Sequence, residues 1–119
     1  MNIAADMDAD FDKPRDILYK LARSDNTWER RTAILSTAHF IRHGDLDDTF
    51  RIAEMLLNDD HDLIHKATGW MLRAAGGADR QKLLYFLDKH AATMPRTALR
   101  YAIEHLDKEQ RDKYLSMKK

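Results

Sequence analysis

A short motif recurs three times along the chain, at intervals of about thirty residues. It reads Arg31-Thr32-Ala33, then Lys66-Ala67-Thr68, then Arg96-Thr97-Ala98, and each copy falls early in the second helix of a predicted pair. Repeats of this length are typical of helical hairpins, which must stack because one hairpin cannot bury its apolar face alone. We therefore expect an all-α fold, a short right-handed α-solenoid of about three helical hairpins with a C-terminal cap helix.

Apolar spacing and capping residues predict seven helices and no strand. Asp12 is the expected N-cap of the first helix, Gly44 is expected to end the second, and Gly76-Gly77 the fourth. Residues 1–12 are predicted to be a flexible acidic lead-in, followed by one helical-repeat domain over 13–119. The predicted helices end at about residues 23, 42, 57, 75, 90 and 105, and a short last helix is capped by Asp107.

Composition limits the class of protein further. The chain has 119 residues, four Gly, two Pro and no Cys. This length suits one domain, and so few turn residues argue against a strand-rich fold. Without Cys there is no disulfide framework and no thiolate metal site, and an intracellular location is the simplest interpretation. We expect a cytoplasmic protein with no cofactor and no membrane association, since no apolar run approaches membrane-spanning length.

The formal net charge is zero, which counts against an obvious nucleic-acid binder. The charges are nevertheless unevenly distributed. The predicted second helices carry seven cationic residues against three acidic ones, a net charge of plus four, whereas the segment 45–60 has a net charge of minus five. If the second helices line one wall, that wall focuses positive potential on a polyanion. The alternative is that the uneven distribution is chance among exposed charges. The seven cationic residues are Arg30, Arg31, Arg42, Lys66, Arg73, Arg96 and Arg100.

The segment around Trp70 places an aromatic side chain between two cations. On a helical wheel, Lys66, Trp70 and Arg73 follow i, i+4, i+7 spacing, roughly opposite the apolar side. Such a tryptophan suits contact with a sugar-phosphate backbone or a base face. The other interpretation is that Trp70 fills the seam to the next repeat, and the sequence leaves both open.

Arg31 has a guanidinium group that could hold a phosphate in a bidentate manner, and Trp28 shares one flank of the helix with it. The alternative is a salt bridge between Arg31 and an acidic residue of another helix. Both interpretations remain open at this stage.

Two histidine pairs at i, i+4 spacing were considered as metal ligands. His61 and His65 resemble the zinc-protease helix, but Asp62 replaces the glutamate that acts as its base. His39 and His43 have no acidic partner in the same pattern. We therefore expect no functional metal.

Three stretches together carry a family resemblance. Residues 25–34 read D-N-x-W-x-x-R-x-A-I, residues 64–73 read I-x-K-A-x-G-W-x-L-R, and residues 95–102 read P-R-T-A-L-R-Y-A. The chain resembles, over about residues 13–106, the DNA alkylation repair family of HEAT-like-repeat DNA glycosylases (AlkD-like). The resemblance implies a HEAT-like solenoid that cradles double-stranded DNA in a basic concave groove.

The resemblance also implies an activity: removal of cationic alkylpurines such as N3-methyladenine and N7-methylguanine without drawing the base into a pocket. Because the leaving base is already cationic, no general acid is needed, and the oxocarbenium character of the sugar is what requires stabilisation. By matching motifs, Arg31 corresponds to the family's groove arginine and Trp70 to its second groove tryptophan. Lys66 and Arg73 would support phosphate binding. The full set of expected DNA-binding residues is Arg31, Lys66, Trp70, Arg73, Trp28 and Arg100.

The chain departs from the family in one respect. The family's catalytic Asp and its partner tryptophan belong to repeats that precede the matched stretch, so neither transfers to a residue of this sequence. The resemblance therefore covers the C-terminal half of the family's solenoid. A DNA-binding repeat portion of a glycosylase is the leading hypothesis. The alternatives are a non-catalytic protein-interaction module, or a chain that completes a site with an N-terminal half or a second copy.

Overall fold

The computed structural model of the protein describes residues 12–117 and contains no strand within that range. Eight helical segments lie in that range, and two of them, which are separated only by Thr37, together correspond to the second of the seven predicted helices. An acidic lead-in is predicted for residues 1–12. Residues 1–11 of this segment lie outside the described residues. The segments are α1 (Asp12–Ala22), α2 (Thr27–Ser36), α3 (Ala38–Arg42), α4 (Asp47–Leu56), α5 (Asp62–Ala78), α6 (Arg80–His90), α7 (Arg96–Ala102) and α8 (Lys108–Ser116).

The helices form a short solenoid of three hairpins, with α8 as the C-terminal cap. The first hairpin is α1 with α2–α3, the second is α4 with α5, and the third is α6 with α7. The second helices α2, α5 and α7 lie side by side, with α5 in the middle, and the first helices α1 and α4 also pack together. In the third hairpin, α6 and α7 pack mainly on α5 rather than on each other. The all-α repeat fold predicted from the motif spacing is confirmed.

A single core runs between the two layers of helices. It is made of aliphatic side chains at helical spacing, because each helix turns one apolar stripe inward. No described helix is both long and apolar enough to cross a bilayer. The most completely buried aliphatic side chains are Ile34, Ile52, Ile64, Leu72, Leu87, Leu99 and Ile103.

Polar caps fix where several helices begin and end. Asn26 accepts hydrogen bonds from the backbone N–H groups of Trp28 and Glu29, and Asp107 accepts one from Gln110. Gly44 has a φ of 80°. The Gly44 N–H donates to the Ile41 carbonyl, and the Asp45 N–H donates to the Phe40 carbonyl. This pattern is a Schellman motif, so Gly44 and Asp107 act as predicted.

The second helix is not continuous to residue 42, as expected, but is interrupted at Thr37. The buried Thr37 hydroxyl donates to the Ile34 carbonyl at 2.6 Å, and the Thr37 N–H also bonds to that carbonyl. A threonine that bonds back to the preceding turn tightens the helix locally. The predicted helix therefore divides into α2 and α3.

The expectation that Gly76-Gly77 ends the fourth helix is wrong. Helix α5 continues through both glycines to Ala78, and Asp79 then caps α6. Gly76 lies against the side chain of Leu83 on α6, where an added methyl group would be 2.3 Å from Leu83 Cδ2. The small residue thus serves the packing of two helices rather than a chain reversal. The sixth predicted helix is also shorter than expected, because α7 ends at Ala102.

Two tyrosine–carboxylate hydrogen bonds join neighbouring units, one between the first two hairpins and one between the third hairpin and the cap helix. Tyr19 on α1 donates to Asp48 on α4 at 2.7 Å, and Tyr114 on α8 donates to Asp88 on α6 at 2.8 Å. Burial, followed by the hydrogen bond to the carboxylate, raises the pKa of each tyrosine to about 12. Both phenols therefore remain neutral donors across the ordinary pH range.

Candidate functional site

A shallow groove of about 230 Å³ crosses the layer of second helices. Helix α2 contributes one side chain, α5 contributes four and α7 contributes one, so the groove exists only because the three hairpins stack. The residues that line the groove are Arg31, Leu63, Lys66, Ala67, Trp70 and Tyr101.

Helix α5 presents Lys66 and Trp70 to this groove. The two lie one turn apart, while Ile64 and Leu72 on the other side of the helix are fully buried. Trp70 is 51 % exposed, so it is not sealed in the seam between repeats, which was the alternative interpretation. Lys66 forms an exposed i, i+4 pair with Asp62, at 3.3 Å.

Arg31 reaches the same groove from α2, next to the exposed Trp28. Its guanidinium carbon lies 5.9 Å from the centre of the Trp28 ring, close enough for a cation–π contact. No carboxylate among residues 15–117 pairs with Arg31. Its neighbour Arg30 instead forms a salt bridge, with Nε 2.6 Å from Asp59 in the loop between α4 and α5. The Arg31 charge is thus available to an external anion.

Gly69 brings α7 close enough to complete the groove. A methyl group at this position would lie 2.5 Å from the Ala98 carbonyl oxygen and 2.6 Å from Tyr101 Cβ. The missing side chain therefore lets α5 and α7 approach closely, and this approach places Tyr101 among the lining residues. Tyr101 was not among the predicted site residues. A glycine inside the helix, one residue before Trp70, was the signal that could have pointed to it.

The other predicted site residues lie outside the lining. Arg73 forms an ion pair with Glu104 and borders a separate depression at the end of α5. Arg100 is exposed on α7 and has no carboxylate partner among residues 15–117. The structure thus brings Arg31, Lys66 and Trp70 together, places Trp28 beside Arg31, and leaves Arg73 and Arg100 away from the groove.

Ion pairs within the fold involve several of the unevenly distributed charges. Asp48, in the acidic segment, is 3 % exposed and faces Arg15 across the α1–α4 interface, with Arg15 Nε at 3.2 Å. Asp59 is held by Arg30 in the same way. Part of the acidic segment is therefore neutralised inside the fold rather than displayed on an outer wall. On the wall of second helices, Arg31, Arg42 and Arg100 have no carboxylate partner within residues 15–117.

The histidine pair at the start of α5 has local structural contacts. His61 is the N-cap residue, and its Nδ1 accepts a hydrogen bond from the backbone N–H of Leu63 at 3.2 Å. His65 Nε2 is hydrogen-bonded to the backbone carbonyl of Asp59. Over residues 12–117 the structure has no group of three or more side chains arranged to hold a metal ion.

A family model described as DNA alkylation repair enzyme matches residues 1–106. The chain belongs to this family. The match includes every hairpin and all groove residues, and only α8 lies beyond it. Searches of curated proteins and of solved structures returned no match. Membership in a DNA repair family suggests that the protein interacts with DNA.

Proposed function

We propose that the wall formed by α2, α5 and α7 binds double-stranded DNA, as part of a glycosylase that excises cationic alkylpurines. The observation that carries the proposal is the joint placement of Arg31 and Trp70 in one open groove. Arg31 offers a guanidinium without a carboxylate partner among residues 15–117, and Trp70 offers a half-exposed aromatic face.

Arg31 and Lys66 would bind phosphates of the DNA backbone. The planar guanidinium of Arg31 can donate two parallel hydrogen bonds to one phosphate, whereas the Lys66 ammonium acts as a point charge. The pair of Lys66 with Asp62 opposes this only weakly, because exposed i, i+4 pairs contribute about 0.3–0.5 kcal/mol. A phosphate can therefore replace Asp62 as the partner of Lys66.

Trp70 would lie against the deoxyribose of the damaged nucleotide. When the glycosidic bond breaks, its electron pair leaves with the base, which becomes neutral, and positive charge develops on the sugar. An aromatic face stabilises such a charge electrostatically. Water then adds to the anomeric carbon and loses a proton. The groove lining contains no carboxylate, so we assign it binding and charge stabilisation rather than base catalysis.

The resemblance over residues 13–106 implies a catalytic carboxylate in repeats that precede this stretch. For this chain, an N-terminal half or a second copy would supply it in the assembled site. This part of the proposal predicts glycosylase activity on alkylated duplex DNA only when the carboxylate-bearing partner is present.

A fluorescence titration with a short DNA duplex over a series of salt concentrations tests the binding proposal. We expect affinity to fall as salt rises, since each phosphate contact releases counterions. Arg31→Ala should weaken binding by about one to two orders of magnitude and reduce the salt slope by about one, because one charged contact is lost. Trp70→Ala should weaken binding without lowering the melting temperature.

Lys108→Ala is the matched control, since it removes a cation from an exposed pair on α8. It should leave duplex affinity nearly unchanged. No binding at low salt, or equal losses in the α8 variant and the Arg31 variant, would refute the proposal. The first of these results would favour the protein-interaction hypothesis.

A further inference from the structure

A second groove, of about 370 Å³, lies between α4 and α6, the first helices of the second and third hairpins. These two helices pack on α5 but not closely on each other, unlike α1 and α4. The gap between them exposes an apolar surface that the proposed DNA contact does not use. The groove is within the size range of natural ligand sites.

The floor of this groove is a row of aromatic rings. The Phe50 and Phe86 ring centres are 5.6 Å apart, and the Phe86 and His90 ring centres are 4.5 Å apart. Tyr85 lies beside them and is 68 % exposed. Phe86 is buried, so the accessible aromatic surface comes mainly from Tyr85 and the partly exposed Phe50. Such a surface suits a protein contact, since aromatic side chains are enriched in the centres of protein interfaces.

Two lysines flank this floor along α6. Lys82 and Lys89 are seven residues apart, which places them about 10 Å apart along the helix axis. Neither has a carboxylate partner among residues 15–117, and the Lys89 Nζ lies 5.5 Å from the Tyr85 ring centre. Glu54 is exposed and lies 3.3 Å from His90, and Asp79 caps α6. With Arg51, the lining has three cationic residues, the other two being Lys82 and Lys89, against these two carboxylates.

We propose that the α4–α6 groove docks an acidic amphipathic segment of a partner protein. Apolar side chains of the segment would cover Phe50 and Tyr85, and carboxylates about two helical turns apart would pair with Lys82 and Lys89. A duplex fits this surface poorly, because its phosphates need a cationic surface and the floor between the lysines is apolar. The inference involves none of the groove residues Arg31, Lys66 and Trp70, and it is independent of the proposed function.

The test uses the whole chain and two synthetic helical peptides of roughly four turns. The probe has leucines along one face and two glutamates seven residues apart beside that face, which matches the spacing of Lys82 and Lys89. The control peptide replaces the glutamates with lysines. Fluorescence anisotropy should show saturable binding of the acidic peptide and at least about tenfold weaker binding of the basic one, a difference of about 1.4 kcal/mol.

Variants then locate the contact. Tyr85→Ala, and the double change Lys82→Gln with Lys89→Gln, should each weaken acidic-peptide binding about tenfold or more. All three side chains are exposed, so the fold should be retained, and circular dichroism checks this. Arg31→Ala should leave peptide binding unchanged. The proposal is overturned if the acidic peptide does not bind, if both peptides bind alike, or if the double lysine change abolishes duplex binding.

Discussion

The contact between α5 and α7 at Gly69 gives the sharpest test of the packing that creates the groove. In Gly69→Ala, the new methyl group would lie 2.5 Å from the Ala98 carbonyl oxygen and 2.6 Å from Tyr101 Cβ. Ordinary van der Waals contacts between such atoms are about 3.5–4.0 Å. The two helices must therefore move apart by about 1 Å, because a backbone carbonyl cannot rotate away as a side chain can.

The expected loss of stability follows from two opposing terms. Alanine favours a helix interior over glycine by about 0.8–1.0 kcal/mol. Overpacking a well-filled interface costs about 1–3 kcal/mol, and a clash with backbone belongs at or above the upper end. We expect Gly69→Ala to destabilise the protein by about 2 kcal/mol. For a domain of this size, that corresponds to a fall in melting temperature of roughly 8 °C.

Gly77 provides a matched control in the same helix. Its added methyl group would meet no heavy atom within 4 Å, so Gly77→Ala should be neutral or stabilise the protein by up to about 1 kcal/mol. Thermal and urea unfolding followed by circular dichroism would measure both variants. If Gly69→Ala is as stable as the parent, or if Gly77→Ala loses as much, the account of the α5–α7 contact is wrong. Weaker duplex binding by Gly69→Ala would further link this packing to the groove.

Two further predictions concern stability. Arg30→Ala should destabilise the fold by about 1.5–3 kcal/mol in urea unfolding, because Asp59 would lose its charged partner, whereas Arg31→Ala should change stability little. The raised pKa of Tyr19 and Tyr114 makes stability pH-dependent: the folded state holds the phenol protons more tightly than the unfolded chain. This contribution is complete below pH 10.0 and is lost as pH rises towards about 12. Tyrosinate absorbance and unfolding curves over this range would show it, and the double Phe variant should lack this loss.

Helix order and most helix ends could be predicted from the sequence because their causes are local. Asn26, Gly44 and Asp107 act on backbone groups within a few residues, so the residue types alone point to the caps. The interruption at Thr37 and the continuation through Gly76 could not be predicted in this way. Both depend on packing between helices, namely burial of Thr37 in the core and contact of Gly76 with Leu83 on the next helix.

The candidate site likewise has features that the sequence could predict and features that it could not. Helical periodicity was enough to place Lys66 and Trp70 on one exposed face, because that relation lies within a single helix. Whether Arg30 or Arg31 forms the salt bridge to Asp59 depends on the rotation of α2 relative to the second hairpin. The contribution of Tyr101 depends on the distance between α5 and α7. Gly69 indicates a close approach of some element at that point, but it does not show which residue the approach brings in.

The net charge of zero argues against a nucleic-acid partner. It does not decide whether the protein binds nucleic acid, however, because several of the charges are paired within the fold. Asp48 and Asp59 have little exposure. Asp59 is matched to Arg30, and Asp48 shares Arg15 with Asp45, so most of these charges are offset within a few ångströms at the interfaces between hairpins. Charges paired at such short range contribute almost nothing to the potential one Debye length away, about 8 Å at physiological salt. What a polyanion meets is the remainder on the second-helix wall, which includes Arg31. For a small repeat protein, the relevant quantity is therefore the charge left unpaired on each wall rather than the sum over the chain.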